Sequence, residues 1–252
     1  MIPGAGKANI VGANNGLSGF ALLAASLMAT VQADAATKAW IPLGTTQGFA
    51  ILSETGITDV PTSAIVGNVG VSPITGAANH LTCSEVKGRT FAVNAAGSAC
   101  SVVAPSMLTT AISDMKAAYV DAASRIPAVR DLNVGNLGGM TLSPGVYAWS
   151  SGVIIPSTLT LQGSVSGKGN VWIFQVAKTL DLASGASVSL SRGASADFVF
   201  WQVAGAVTIG TGATFEGQIL AKTSIAMKTG ARLKGRMLAQ SAVTLQANTI
   251  TH

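Results

Sequence analysis

Charge is scarce in this chain: Asp, Glu, Lys and Arg together make up 10% of its 252 residues, and aromatic residues only 5%. Hydrolysis of a glycosidic bond needs two carboxylates flanking one point. The ten acids of this chain supply no such spaced pair. Histidine occurs twice, as His80 and His252, and cysteine twice, as Cys83 and Cys100. No metal-ligand spacing, phosphate-cradling glycine loop or nucleophile elbow can be built from this inventory. Long apolar runs are missing too, apart from one near the start, so nothing beyond it has the length to cross a bilayer. These absences speak against an enzyme. They imply no cofactor and no metal, and they leave a binding surface as the role to look for.

The one apolar run, residues 17–31 (LSGFALLAASLMATV), is short for a membrane span and is followed by Ala33-Asp34-Ala35, an A-x-A sequence of the kind cleaved on export. Residues 1–35 therefore read as a secretory signal, although its n-region is long and carries a single charge, Lys7. A native N-terminal helix is the alternative. The mature chain, residues 36–252, is expected to be a single secreted domain, monomeric and not membrane-bound. In an oxidising compartment, Cys83 and Cys100 are expected to pair across a polar stretch and contribute about 3 kcal/mol; two unpaired thiols remain the alternative. The net charge of +5 points only weakly to an acidic partner. Five basic residues fall within 222–236, but no aromatics interleave with them as base stacking would require, so this reads as a solvated face rather than a nucleic-acid site.

What the chain has in place of charge is period. Residues 211–217 read TGATFEG and residues 229–235, eighteen positions on, read TGARLKG. The strands before them keep the same step: AVTI at 206–209, SIAM at 224–227 and AVTL at 242–245. Eighteen residues suit one turn of a β-solenoid, a unit that buries its apolar side by stacking on copies of itself. The triplets VII (153–155), LDL (180–182), VTI (207–209), IAM (225–227) and VTL (243–245) each place one residue between two aliphatics, so the aliphatics point inward and the middle residue outward. Gly185, Gly212 and Gly230 fit the corners. Lys234 and Glu216 lie one period apart and should be vertical neighbours. One stretch breaks the pattern. From Pro105, Leu108, Ala111, Ile112, Met115, Ala118, Tyr119 and Ala122 recur at helical spacing, and Pro127 forces the helix to end, giving a helix over 105–126 lying along the solenoid. Residues 76–103, rich in small polar residues, read as a cap or loop.

Stacking aligns the outward residues in files about 4.7–4.9 Å apart per step. The middle file is Ile154, Asp181, Thr208, Ala226 and Thr244; the file two residues earlier is Thr179, Ala206, Ser224 and Ala242. A flat array of methyls and hydroxyls suits ordered water, because threonine offers a hydrogen bond and a methyl together. Small β-forming residues would also suit a tight solenoid surface with no function at all.

The motifs carry a resemblance that bears on this choice. FAILSETGIT (49–58), SAIVGNVGVSP (63–73), LSPGVYAWSSGVIIPS (142–157), VWIFQVAKTLDLASGA (171–186), the run 199–231 and GRMLAQSAVTLQANTIT (235–251) resemble, in order, the microbial ice-binding (antifreeze) proteins over roughly residues 43–251. The resemblance implies a mostly β fold: a right-handed, discontinuous parallel β-helix of triangular section with one long α-helix packed alongside. It also implies that one flat face adsorbs to ice, carried here by Ile154, Asp181, Thr208, Ala226 and Thr244 with Thr179, Ala206, Ser224 and Ala242 in support. Two departures, the charge of Asp181 and the bulk of Ile154, predict moderate rather than strong freezing hysteresis. The Thr-Gly/Ala-x-Thr pattern of some members occurs once, at 211–214, and reads first as a corner. The cysteine loop is similar to a capping segment that some members carry before the helix. The competing reading is a solenoid that binds or degrades extracellular polysaccharide.

Overall fold

The computed structural model describes residues 40–164 and 169–252. The expected secretory signal lies outside the described residues. Within them the chain is strand-rich with a single α-helix, Pro105–Ser124, here α1. Among the described residues every strand pairing is parallel, in sheets of thirteen, six and three strands; the largest branches at Arg232–Ala239, which pairs with both Phe49–Ser53 and Thr249–Thr251, and so serves two sides of the solenoid. The 18-residue period appears directly as register: Thr214 pairs with Arg232, Phe215 with Leu233 and so on through Ala221 with Ala239. Corners turn at glycines in the left-handed region, such as Gly212 (φ 65°) and Gly230 (φ 67°).

The coils do not stack in chain order. The N-terminal coil (Phe49–Ser53, Gly56–Val60, Ala64–Val66) docks on the last coil of the chain, pairing strand for strand with Arg232–Ala239, Ala242–Gln246 and Thr249–Thr251. The helix makes this order possible. It leaves the end near Ser101–Val103 and carries the chain back along the thirteen-stranded sheet to the far end, at Val129–Arg130. Twenty residues span about 30 Å, which matches about 29 Å for the six strand steps between Thr90–Ala92 and Trp172–Val176.

Side-chain alternation explains two buried layers on that sheet. In Trp172–Val176, Trp172, Phe174 and Val176 point into the solenoid while Ile173 points out to the helix. From Trp172 to Phe174 the strand is apolar on both faces and reads as a continuous apolar run, which Gln175 ends on the outer face. Inside, Tyr147, Phe174 and Trp201 stack in file, with ring centroids 5.5 Å and then 4.0 Å apart. Outside, Leu108, Ala111, Ile112, Met115, Ala118 and Ala122 of α1 meet Phe49, Leu52, Phe200, Leu220 and Leu238. The helix ends at Ser124, two residues short of the expected 126, because Arg125 is already extended (ψ 138°). The Gln175 amide reaches up from the sheet to donate to the carbonyls of Ala122 (2.8 Å) and Arg125 (2.7 Å), satisfying a terminus that would otherwise be left open.

The segment 76–103 is more ordered than its composition suggested. It contributes three short strands, Val86–Lys87, Thr90–Ala92 and Ser101–Val103, which extend the thirteen-stranded sheet. Cys83 and Cys100 are bonded to each other, with Cα atoms 5.8 Å apart. Reduction of this 17-residue link is expected to cost about 3 kcal/mol and to lower Tm by about 6–12 °C. Thermal hysteresis read near 0 °C should survive, because the other coils hold the solenoid. A Tm unchanged by reduction and alkylation would contradict the stabilising role.

One acid occupies an inner position. Asp59 stands in register with the fully buried Leu245, where the other coils carry an aliphatic residue. Ser63 Oγ donates to its carboxyl at 2.6 Å. The buried Glu85 carboxylate faces it and accepts from Ser63 N–H (2.8 Å), Thr82 N–H (2.8 Å) and Thr82 Oγ (2.7 Å). Burial, reinforced by the facing Glu85, pushes the Asp59 carboxyl above its usual range. Burial opposes the charge of Glu85 as well, but the Thr82 and Ser63 hydrogen bonds outweigh it and hold Glu85 low. The signs are opposite. Stability from Asp59 is present below the ordinary carboxyl pKa and is lost as pH rises through its raised value; stability from Glu85 is lost as pH falls through its lowered one. Asp59→Asn, which keeps the shape and removes the upper titration, should flatten the loss of Tm between mildly acidic and neutral pH. An unchanged Tm–pH curve would remove Asp59 from this account.

Candidate ice-contact face

Of the three sides, one is sealed by α1. A second carries charge at its centre: Glu216 pairs in register with Lys234, as their spacing predicted, and Arg232 follows alongside. Burial pushes the Glu216 carboxyl up, partly offset by the Lys234 charge. The third side is the six-stranded sheet Val153–Ile155, Leu180–Leu182, Val207–Ile209, Ile225–Met227, Ala242–Gln246 and Gly56–Val60. Among the described residues no α-helix packs over it, and it spans about 24 Å along the stack at about 4.8 Å per step.

On this sheet the structure brings the whole expected middle file together. Ile154 pairs with Asp181, Asp181 with Thr208, Thr208 with Ala226 and Ala226 with Thr244. Their neighbours are buried on each strand: Leu180 and Leu182 flank Asp181, and Val207 and Ile209 flank Thr208. The aliphatics thus lock the backbone and the middle residue faces out. Thr179, Ala206, Ser224 and Ala242 form the adjacent file, about 6.6 Å away along the strands.

The register also adds a residue that the sequence pattern did not reveal. Thr58 pairs with Thr244 and continues the middle file, and its hydroxyl donates to that of Thr244 at 3.2 Å. Gly56 stands opposite Ala242 but is buried, with Ala78 of the cap lying where a side chain would project, so the second file ends at Ala242. The signal was present, since Gly56-Ile57-Thr58 parallels Ala242-Val243-Thr244, but Asp59 breaks the aliphatic–x–aliphatic triplet. Beyond Thr58 the cap begins: Asn79 bridges to Ile57. The cysteine loop's segment therefore abuts the end of this face. At the other end, Asn136 bridges to Ile154.

A third file completes the surface: Pro156, Ala183, Gly210, Lys228, Gln246 and Val60. Between Ile154 and Lys228 the face holds a shallow depression of about 470 Å³, lined also by Asp181, Ala183, Thr208 and Gly210. Asp181 and Lys228 make no ion pair within 4 Å among the described residues. Residues 211–214 form a corner leading off the sheet, not part of it. No group of three or more His, Cys, Asp or Glu that could hold a metal occurs among the described residues, and no helix there is long and apolar enough to cross a membrane.

A parallel β-solenoid interrupted by one flanking helix, with a single bare face of small residues, defines a narrow class of protein. The chain belongs to the Ice-binding-like family, whose model matches residues 51–251. It is 53% identical over 212 residues to an ice-binding protein of Flavobacterium frigoris, covering 84% of this chain and 76% of that one. It is 50% identical to an ice-binding protein of a Colwellia species, covering 83% of each. Among solved structures it is similar to an ice-binding protein with antifreeze activity from an Arctic yeast, with a TM-score of 0.77 and 36% identity over 84% of this chain and 93% of that one.

Proposed function

We propose that this is an exported, monomeric protein that adsorbs to ice through the bare six-stranded face, inhibits recrystallisation and lowers the freezing point moderately. The observation that carries this reading is the array of small side chains on successive coils, Thr208, Ala226, Thr244 and Thr58 beside Ala206, Ser224 and Ala242, in a family whose relatives are named for binding ice. Threonine hydroxyls take places in a hydrogen-bonded water lattice while methyls hold neighbouring waters in cages. Stiffness matters as much as chemistry: side chains fixed by a buried lattice lose little entropy on contact. Adsorbed molecules pin the front, ice bulges between them, and the curvature lowers its melting temperature locally. This mechanism needs no turnover and no cofactor.

The test is direct. Purified mature protein at micromolar concentration should halt grain coarsening in a frozen slurry and open a gap between freezing and melting temperatures. Unchanged grain growth together with no hysteresis would remove ice as the target.

A further inference from the structure

We infer that the contact with ice is confined to the four coils carrying Thr208, Ala226, Thr244 and Thr58, and that Asp181 and Lys228 set its edge; this rests on the ice-adsorption reading above. Across those four coils no side chain in the first two files is longer than threonine and none is charged. The Thr58–Thr244 hydroxyl bond links the two coils at the cap end, so that end is a continuous, pre-ordered part of the surface.

The two remaining coils differ in shape and in charge. Ile154 is 48% exposed and stands proud of the sheet. The depression beside it is lined by Pro156, Asp181 and Ala183 and reaches Thr208, Gly210 and Lys228 on the next two coils. A planar lattice resting on Ile154 bridges this hollow and leaves liquid water beneath. Asp181 and Lys228 border this same depression without touching one another, so each keeps its own hydration shell. Stripping an isolated charge of its water costs far more than attraction to an opposite charge across water returns. The depression therefore stays wet, and the lattice ends at Thr208, which lines its border. The contact shrinks to three strand steps, about 14 Å, instead of five, about 24 Å.

Both charges must then be removed to extend the contact, since either one alone keeps the depression hydrated. The experiment measures thermal hysteresis at matched concentration for Ala226→Tyr, Thr58→Tyr, Asp181→Tyr, Asp181→Thr, Lys228→Thr and the double Asp181→Thr/Lys228→Thr, with melts confirming that each is folded. A ring projecting anywhere inside the flat contact lifts it off the lattice, whereas one beyond its edge does not, so Thr58→Tyr should fall to about a third of the parent, as Ala226→Tyr does, while Asp181→Tyr keeps about four-fifths. Each single threonine variant should stay near the parent value, and the double should exceed it by more than the two single gains added. An Asp181→Tyr loss as deep as that of Ala226→Tyr, a silent Thr58→Tyr, or a double variant no better than its singles overturns the inference while leaving the ice face in place. Full hysteresis in Ala226→Tyr instead overturns the choice of face.

Discussion

Ala226→Tyr should lose most of the thermal hysteresis while melting within about 2 °C of the parent. Ala226 is half-exposed at the centre of the file, between Thr208 and Thr244 on the neighbouring coils. Its flanking residues Ile225 and Met227 fill the core, and substituting the outward residue leaves both in place. Tyrosine is a good strand former, so the fold should tolerate it. The lattice should not, because a ring projecting from the centre of a flat patch lifts every other contact off the ice at once. Lys234→Tyr is the matched control: the same residue type goes onto an exposed position of the charged face, in register with Glu216. It should leave hysteresis nearly unchanged. The reverse pattern, loss in Lys234→Tyr and retention in Ala226→Tyr, would place the active surface on the other side of the solenoid.

Gly235→Ala should produce the largest loss of stability. Gly235 stacks on Gly217 in the coil above, and both have backbone angles that side-chain-bearing residues rarely adopt (φ 141° and 117°). A methyl at Gly235 would overlap the Gly217 carbonyl, a backbone group with nowhere to go. The expected cost is about 3 kcal/mol or more, corresponding to a Tm lower by about 6–12 °C. Gly145→Ala, whose methyl would meet only the Tyr147 ring at 3.5 Å, is the control that should melt close to the parent. Equal Tm values for the two variants would mean that coils need not approach so closely.

The repeat TGATFEG/TGARLKG ends on these two glycines, and here the sequence was a faithful guide. Local period and local burial are the same thing in a solenoid, so the 18-residue step, the inward aliphatics and the middle file could all be seen in the chain. The helix stripe was equally plain, because Leu108 through Ala122 repeat at one spacing. What escaped notice depends on contacts between distant parts of the chain. Thr58 joins the face only because the first coil docks on the last, 186 positions away from Thr244. The strands of the cap pair through backbone groups, and their short runs of two or three residues leave no alternation to read. The depression arises because Ala183 and Gly210 sit beside larger residues contributed by neighbouring coils, and Lys228 lies one residue beyond the repeated triplet. Depth is a property of the stack, not of any one strand.

Adsorption to ice through one defined face can be seen directly by imaging. A single ice crystal grown into a hemisphere in a dilute solution of fluorescently labelled mature protein displays every plane at once. The parent protein should mark discrete planes, Lys234→Tyr should reproduce its pattern, and Ala226→Tyr should leave the crystal dark. A hemisphere left dark by the parent, or lit alike by the parent and Ala226→Tyr, would contradict the account.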